Sequence, residues 1–252
     1  GKAMADSKVK LDDRLTAERA FHDRRFDHGD SRQAQMKYYW AVEAGADRFG
    51  ARVAALAYGA DILEYGCGVH TRGPELAPRA RSFLGIDISE VAIRKVRAES
   101  PAPNARYEVM DAMNLSLPDR SLDLVYGSGI IHHLDIARSI AELRRGLRPG
   151  GSPVVWGAPG HNPFINAYRR LTPSARTPDE HPLLARDLRL MRASFAATDV
   201  ELFGLATIAA VPFRNTALAR PARALLSGID AVLLAIPGVR LLAWYALIRL
   251  VR

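Results

Sequence analysis

The amino-acid sequence predicts an α/β fold organised around a doubly wound parallel sheet. Three observations predict it. Short β-type runs at residues 60–65, 82–86 and 107–110 each lead into glycine or aspartate. Segments with apolar residues at helical spacing lie between and after such runs. Hydrophobic residues make up 48% of the 252 and charged residues 25%, the balance of a globular protein with a core to bury. Strands alternating with helices at this spacing make βαβ units.

Taken in order, residues 5–30 are highly charged, with helical potential from Ala17 to Arg25. From Gln33 to Tyr58, Met36, Tyr39, Trp40, Phe49, Val53 and Leu56 recur at helical spacing, which predicts one or two helices laid over the core. Residues 60–65 form the first strand and stop at Gly66-Cys67-Gly68. Residues 82–86 form the second and stop at Asp87; Ser89 then caps a helix through Val91, Ile93 and Val96. Tyr107–Met110 is the third strand, ending at Asp111, and Leu122–Tyr126 is the fourth. An amphipathic helix from Ile136 to Leu147, a turn at Pro149-Gly150-Gly151 and a fifth strand at Pro153–Trp156 follow. Gly157 to Pro182 breaks the alternation with a proline-rich stretch carrying aromatic and basic residues. A helix near Arg186–Ala196 and a strand at Val200–Phe203 come next. This divides the chain into an N-terminal helical lid (1–57), a ligand-binding core (58–157), an acceptor loop with the end of the sheet (158–206) and an apolar, basic, helical C-terminal extension (207–252).

Charge is distributed unevenly. Residues 1–136 carry 19 basic and 20 acidic side chains, whereas residues 137–252 carry 16 and 7. The single cysteine, Cys67, excludes an internal disulfide and a multi-cysteine zinc site, so the cytoplasm is the default location and no metal is expected. Gly1-Lys2-Ala3 ahead of Met4 reads as a vector-derived stub, and the charged residues after it lack a signal-peptide core.

The glycine turn carries the strongest chemical information. A strand that ends in G-x-G lets a ligand approach the backbone, because no Cβ intervenes. The third glycine of the dinucleotide fingerprint is missing, with Thr71 in its place, which argues against a pyrophosphate ligand. Asp87, 19 residues beyond Gly68, can accept both hydroxyls of a ribose, and Asp111 can accept from the amine of an adenine. Glu64, an acid within the first strand, is costly there unless paired, and a cationic ligand would pair it. Three acids around a glycine turn fit a ligand with an adenine, a ribose and a positive charge.

Five stretches in this order resemble the class I S-adenosylmethionine-dependent methyltransferases: Glu64-Tyr65-Gly66-Cys67-Gly68, Gly85-Ile86-Asp87-Ile88-Ser89, Asp111-Ala112, residues 123–134 (DLVYGSGIIHHL) and residues 147–151 (LRPGG). The resemblance covers about residues 58–157. It implies a Rossmann-like seven-stranded sheet with a reversed last strand, and S-adenosyl-L-methionine as cofactor. Glu64, Gly66, Cys67 and Gly68 would lie along the methionine part, Asp87 and Ile88 at the ribose, and Asp111 and Ala112 at the adenine. Ser128 would border the same pocket.

Methyl transfer is a direct displacement, so the protein must align the acceptor, exclude water and, for many acceptors, remove a proton. His132 and His133 follow the fourth strand, near where the family places the methyl group, and an imidazole is suited to that proton transfer. Of the two, His132 is favoured as the base. Cys67 sits in the cofactor turn, not after the fourth strand, so cysteine-nucleophile cytosine methylation is excluded; the Asn/Asp-Pro-Pro-aromatic signature of nucleic-acid amino-methylation is also absent. Tyr39, His161, Asn162, Tyr168, Arg169 and His181 are candidates for framing a small-molecule acceptor, the basic members suiting a carboxylate or phosphate. No nucleic-acid partner is expected, since the C-terminal arginines lie among leucines and not in an aromatic-basic stripe. In Ala222–Arg252, Asp230, Pro237 and Arg240 interrupt an apolar run that falls short of the ~18 residues of a membrane span. That run admits three roles: packing on the domain or a homodimer partner, peripheral contact with anionic lipid, or a cap over a greasy or lipid-linked substrate.

Overall fold

The computed structural model describes residues 16–24, 36–171 and 182–252. Helix α1 (residues 16–24) precedes short helical turns at Met36–Tyr39 and Trp40–Val42, and α2 (Glu43–Leu56) follows. The alternating part comprises β1 (Asp61–Tyr65), β2 (Ser82–Asp87), α3 (Glu90–Glu99), β3 (Ala105–Val109), β4 (Leu122–Ser128), α4 (Ile136–Gly146) and β5 (Leu147–Gly157). Then come α5 (Pro163–Leu171), α6 (Ala185–Ser194), β6 (Ala197–Phe203), α7 (Ala219–Leu233) and β7 (Tyr245–Val251). The seven strands form one sheet in the order β3-β2-β1-β4-β5-β7-β6. β1 to β5 are parallel, and β7 runs antiparallel to both β5 and β6.

Neighbouring apolar residues on each strand divide between the two faces of the sheet, as the period of two requires. Ile62, Phe83, Leu124, Val154 and Leu247 pack with Phe49 and Val53 of α2 and Ile93 and Val96 of α3. Leu63, Leu84, Val125, Val155 and Ile248 pack with Ile140 and Leu143 of α4 and Met191 of α6. Both faces are therefore covered, which is why the strands read as near-continuous apolar runs. The helix starts follow local chemistry: the Ser89 hydroxyl accepts from Ala92 N–H at 3.1 Å, and the Asp135 carboxylate from Arg138 N–H at 3.1 Å.

The C-terminal segment differs from the helical extension expected for 207–252. It is helical in α7 and in short turns through Leu242, but Tyr245–Val251 is a strand inserted between β5 and β6. A short, fully buried strand has no alternation to set it apart from the apolar helical run before it. Part of the stretch after β5 that was expected to be a loop forms α5.

Candidate functional site

The sheet reverses its strand order between β1 and β4, and at a reversal the flanking crossovers leave on opposite faces, opening a crevice beyond the carboxyl ends. A cavity of about 850 Å³ lies there. Its wall contains all nine residues assigned from sequence to the cofactor: Glu64, Gly66, Cys67, Gly68, Asp87, Ile88, Asp111, Ala112 and Ser128.

The turn after β1 has the shape its glycines predict. Gly66 and Gly68 have φ of 67° and 53°, the left-handed region. A Cβ on Gly66 would lie 2.5 Å from Ile130 Cδ1. Asp87 accepts the Gly68 N–H at 2.9 Å through Oδ2 and the Ser89 N–H at 2.9 Å through Oδ1, which ties the turn to the end of β2. Burial pushes the Asp87 carboxyl above its usual range, opposed by those two N–H groups and by His22. Asp111 accepts Met113 N–H at 2.8 Å, and the Tyr65 hydroxyl donates to the Ala112 carbonyl, so the loop after β3 is pinned to the end of β1.

Glu64 is buried, and its pKa is pushed up to about 7 by loss of hydration. Thr71 donates its hydroxyl to Glu64, and Arg72 donates its backbone N–H at 3.2 Å. The residue standing where a dinucleotide site would have its third glycine thus holds this carboxylate. Burial also pushes the Cys67 thiol up, which keeps it protonated and unreactive, as its place in the turn implies.

Of the two histidines on the turn Ile131–His133, His133 lines the cavity and His132 does not, although their rings are 4.3 Å apart. The sequence favoured His132 as the base, whereas the residue that the turn brings to the cavity is His133. Adjacent residues in a tight turn point in different directions, and which one faces inward depends on the turn's conformation. The N-terminal helix supplies partners that the sequence did not single out. Glu18 Oε2 lies 3.4 Å from His133 Nδ1 and 3.5 Å from His22 Nε2. Glu18 and His22 both line the cavity, and their i,i+4 spacing puts them on one face of α1. The three side chains place one donor atom each within 4.8 Å of one another, the type of donor set that could hold a divalent cation. The same helix is anchored to the ribose-type loop: Ser89 donates its hydroxyl to Asp23, and Arg19 Nε donates to the Ile88 carbonyl at 3.1 Å.

The acceptor candidates separate. Tyr39 lines the cavity, and its ring is stacked on Trp244 at 5.8 Å between centroids. Trp156 and Tyr245, which the sequence did not flag, complete this aromatic wall and stack on each other at 4.7 Å. His161 and Asn162 are not in the wall and do structural work. His161 Nε2 accepts the Ala185 N–H at 2.9 Å; Asn162 accepts Ile165 N–H at 3.1 Å and donates to the Leu242 carbonyl at 2.6 Å. Ala185 is 24 residues from His161 and Leu242 is 80 from Asn162, beyond any local pattern, whereas the Ile165 contact is local, at the start of α5. Tyr168 and Arg169 lie on α5, and His181 lies outside the described residues.

Known proteins share the fold and part of the sequence. Residues 62–151 match a family described as a methyltransferase domain. A probable S-adenosylmethionine-dependent methyltransferase of Mycolicibacterium smegmatis is 39% identical over 105 residues, 41% of this chain and 40% of that protein. An O-methyltransferase of Penicillium expansum is 31% identical over 105 residues, 39% of this chain and 38% of that one. The chain spans about two fifths of the length of these curated relatives. In fold, a solved S-adenosylmethionine-dependent methyltransferase of Mesorhizobium loti superposes with a TM-score of 0.57 at 22% identity, covering 82% of this chain and 96% of that one. Residues 62–151 thus carry a methyltransferase domain, and the sheet that holds the glycine turn and the three strand-end acids is similar to that of S-adenosylmethionine-dependent methyltransferases.

Proposed function

We propose that this protein transfers the methyl group of S-adenosyl-L-methionine to an oxygen or nitrogen of a small organic acceptor. The observation that carries the reading is one cavity with a glycine-and-acid wall on one side and an aromatic wall with a histidine on the other. When bound, S-adenosylmethionine supplies a methyl group already activated by a positively charged sulfur. Asp87 would hold the ribose hydroxyls, Asp111 and Ala112 the adenine, and Glu64 to Gly68 the methionine portion. Ionised Glu64 would offset positive charge on the ligand, which relieves the cost of its own burial. Tyr39, Trp156 and Tyr245 would hold an apolar acceptor and keep water away. His133 would take the acceptor's proton, with Glu18 stabilising the imidazolium that forms. The similarity to an O-methyltransferase favours oxygen as the acceptor atom.

Titration calorimetry with S-adenosylmethionine tests the core of this reading, and no detectable heat or competition would overturn it. His133→Ala is expected to lower kcat ~100-fold while changing cofactor affinity only about threefold or less. His132→Ala is expected to leave kcat near the parent value, and the opposite ranking would reassign the base.

Glu64 adds a pH dependence. Its carboxyl moves from 4.5 to about 7 on folding, so between those values the unfolded chain releases the proton and the folded protein keeps it. The unliganded protein therefore loses stability as pH rises through that interval and no further above it. A cationic ligand favours the ionised form, so affinity changes in the other direction. S-adenosylmethionine is expected to bind ~10-fold more tightly at pH 8 than at pH 6, with proton release at the lower pH. Glu64→Gln should flatten that profile; a flat profile in the parent protein would remove Glu64 from the site.

A further inference from the structure

We infer that the helical insertion between β6 and β7 docks this protein on an anionic membrane surface. β6 and β7 are antiparallel neighbours paired to their facing ends, Phe203 opposite Tyr245. A two-residue hairpin can join such strands. Residues 204–244 stand there instead, so the insertion serves something other than closing the sheet.

Its composition and its exposed face point to the partner. Leu218, Leu225, Ile229 and Val232 are spaced by seven, four and three residues, which aligns them along one side of α7. All four are exposed, Leu225 and Val232 by two thirds, and Ile236 and Leu241 continue the exposed apolar surface beyond the helix. Soluble monomers rarely present an aliphatic stripe of this kind. Besides Arg220, the other exposed positions of α7 are Pro221, Ala224, Ser227, Gly228 and Ala231, residues that offer a protein partner little to hydrogen-bond.

Charge decides between occupants. The insertion contains four arginines and one acid. That acid, Asp230, is buried and turned inward onto the backbone of residues 205–207. Arg223 is occupied by Glu43 and the Trp40 carbonyl. Arg214 and Arg220 stand exposed near the start of α7, so the outward face is aliphatic with cations and no acid of its own. An aliphatic face edged by arginines fits hydrocarbon below and lipid phosphate at the rim. Among the described residues no helix is long and apolar enough to cross a membrane, so the contact is peripheral.

The insertion re-enters the sheet through Trp244, whose ring stacks on Tyr39 of the cavity wall. Resting on the methyltransferase reading, the acceptor class that follows is an amphiphile whose polar end is methylated while its hydrocarbon part stays in the lipid.

Flotation of the full chain with vesicles tests the docking itself. Vesicles of phosphatidylcholine containing about one third phosphatidylglycerol are expected to carry the protein upward, and pure phosphatidylcholine to carry at least threefold less. Leu225→Glu with Val232→Glu, both at exposed positions, should reduce flotation ~10-fold with cofactor binding and circular dichroism unchanged. Arg214→Glu with Arg220→Glu should remove the preference for the anionic lipid. No flotation on either vesicle, or flotation indifferent to the paired glutamates, overturns the proposal. So does a parent dimer that the glutamates turn into a monomer without any flotation, since the stripe then belongs to a second copy. Because cofactor binding is read separately by calorimetry, failure to dock and failure of the methyltransferase reading give different results.

Discussion

Replacing Asp87 with alanine is expected to lower affinity for S-adenosylmethionine ~100- to 1000-fold in titration calorimetry. Two effects combine. The carboxylate would be the acceptor for the ribose hydroxyls, and charge-assisted bonds of that kind contribute about 1.5–3 kcal/mol each. The same two oxygens accept the N–H groups of Gly68 and Ser89, so alanine also releases the glycine turn from the end of β2. Asp87→Asn keeps the size and one acceptor oxygen, and a loss of ~10-fold is expected there. Binding by the alanine variant within threefold of the parent would remove Asp87 from the ligand site.

Asp230→Ala is expected to be strongly destabilising, by about 3–5 kcal/mol in chemical denaturation. One carboxylate accepts the N–H groups of Leu205 (3.1 Å), Ala206 and Thr207 (3.3 Å), and the Thr207 hydroxyl at 2.7 Å. Asp230 and Thr207 are buried, so removing the acceptor strands donors away from water. The loss should appear first as faster amide exchange and proteolysis within residues 204–244, with the cavity's cofactor affinity little changed. Asp230→Asn, which retains one oxygen, should fall between. A variant as stable as the parent would mean that the insertion is held by its other contacts.

What could be read in advance was what chemistry writes locally. Gly66, Gly68, Asp87 and Asp111 stand at strand ends, where a turn needing positive φ or a helix start needing an acceptor leaves a mark in a few consecutive residues. The five parallel strands were legible for the same reason, each being a β-type run followed by its own stop. Features made by distant contacts were not. Glu18 and His22 sit in a stretch dense with acids and bases, and only the packing of α1 beside His133 distinguishes them from solvated charges. Asn162 looked like an acceptor ligand because its amide is polar, yet its partners are a helix start and the carbonyl of Leu242. Tyr245–Val251 was hidden because a strand buried on both faces has no polar alternation, and the apolar residues before it continue the same composition.

The position of β7 constrains the order in which this chain can become a protein on the ribosome. Among the described residues β6 pairs with no strand except β7, and β7 is made only after the whole insertion. While residues 204–244 emerge, the parallel half can assemble from β1 to β5, but the outer edge of β5 stays open and β6 has nothing to pair with. Unpaired edges and exposed aliphatic helices are the features that recruit wrong partners during synthesis. For that interval the nascent chain displays both, until Tyr245–Val251 slots between the two and closes the aromatic side of the cavity in the same movement. The step that completes the sheet also completes the pocket, so a chain caught before it would be unpaired in its sheet and incompetent for its ligand together.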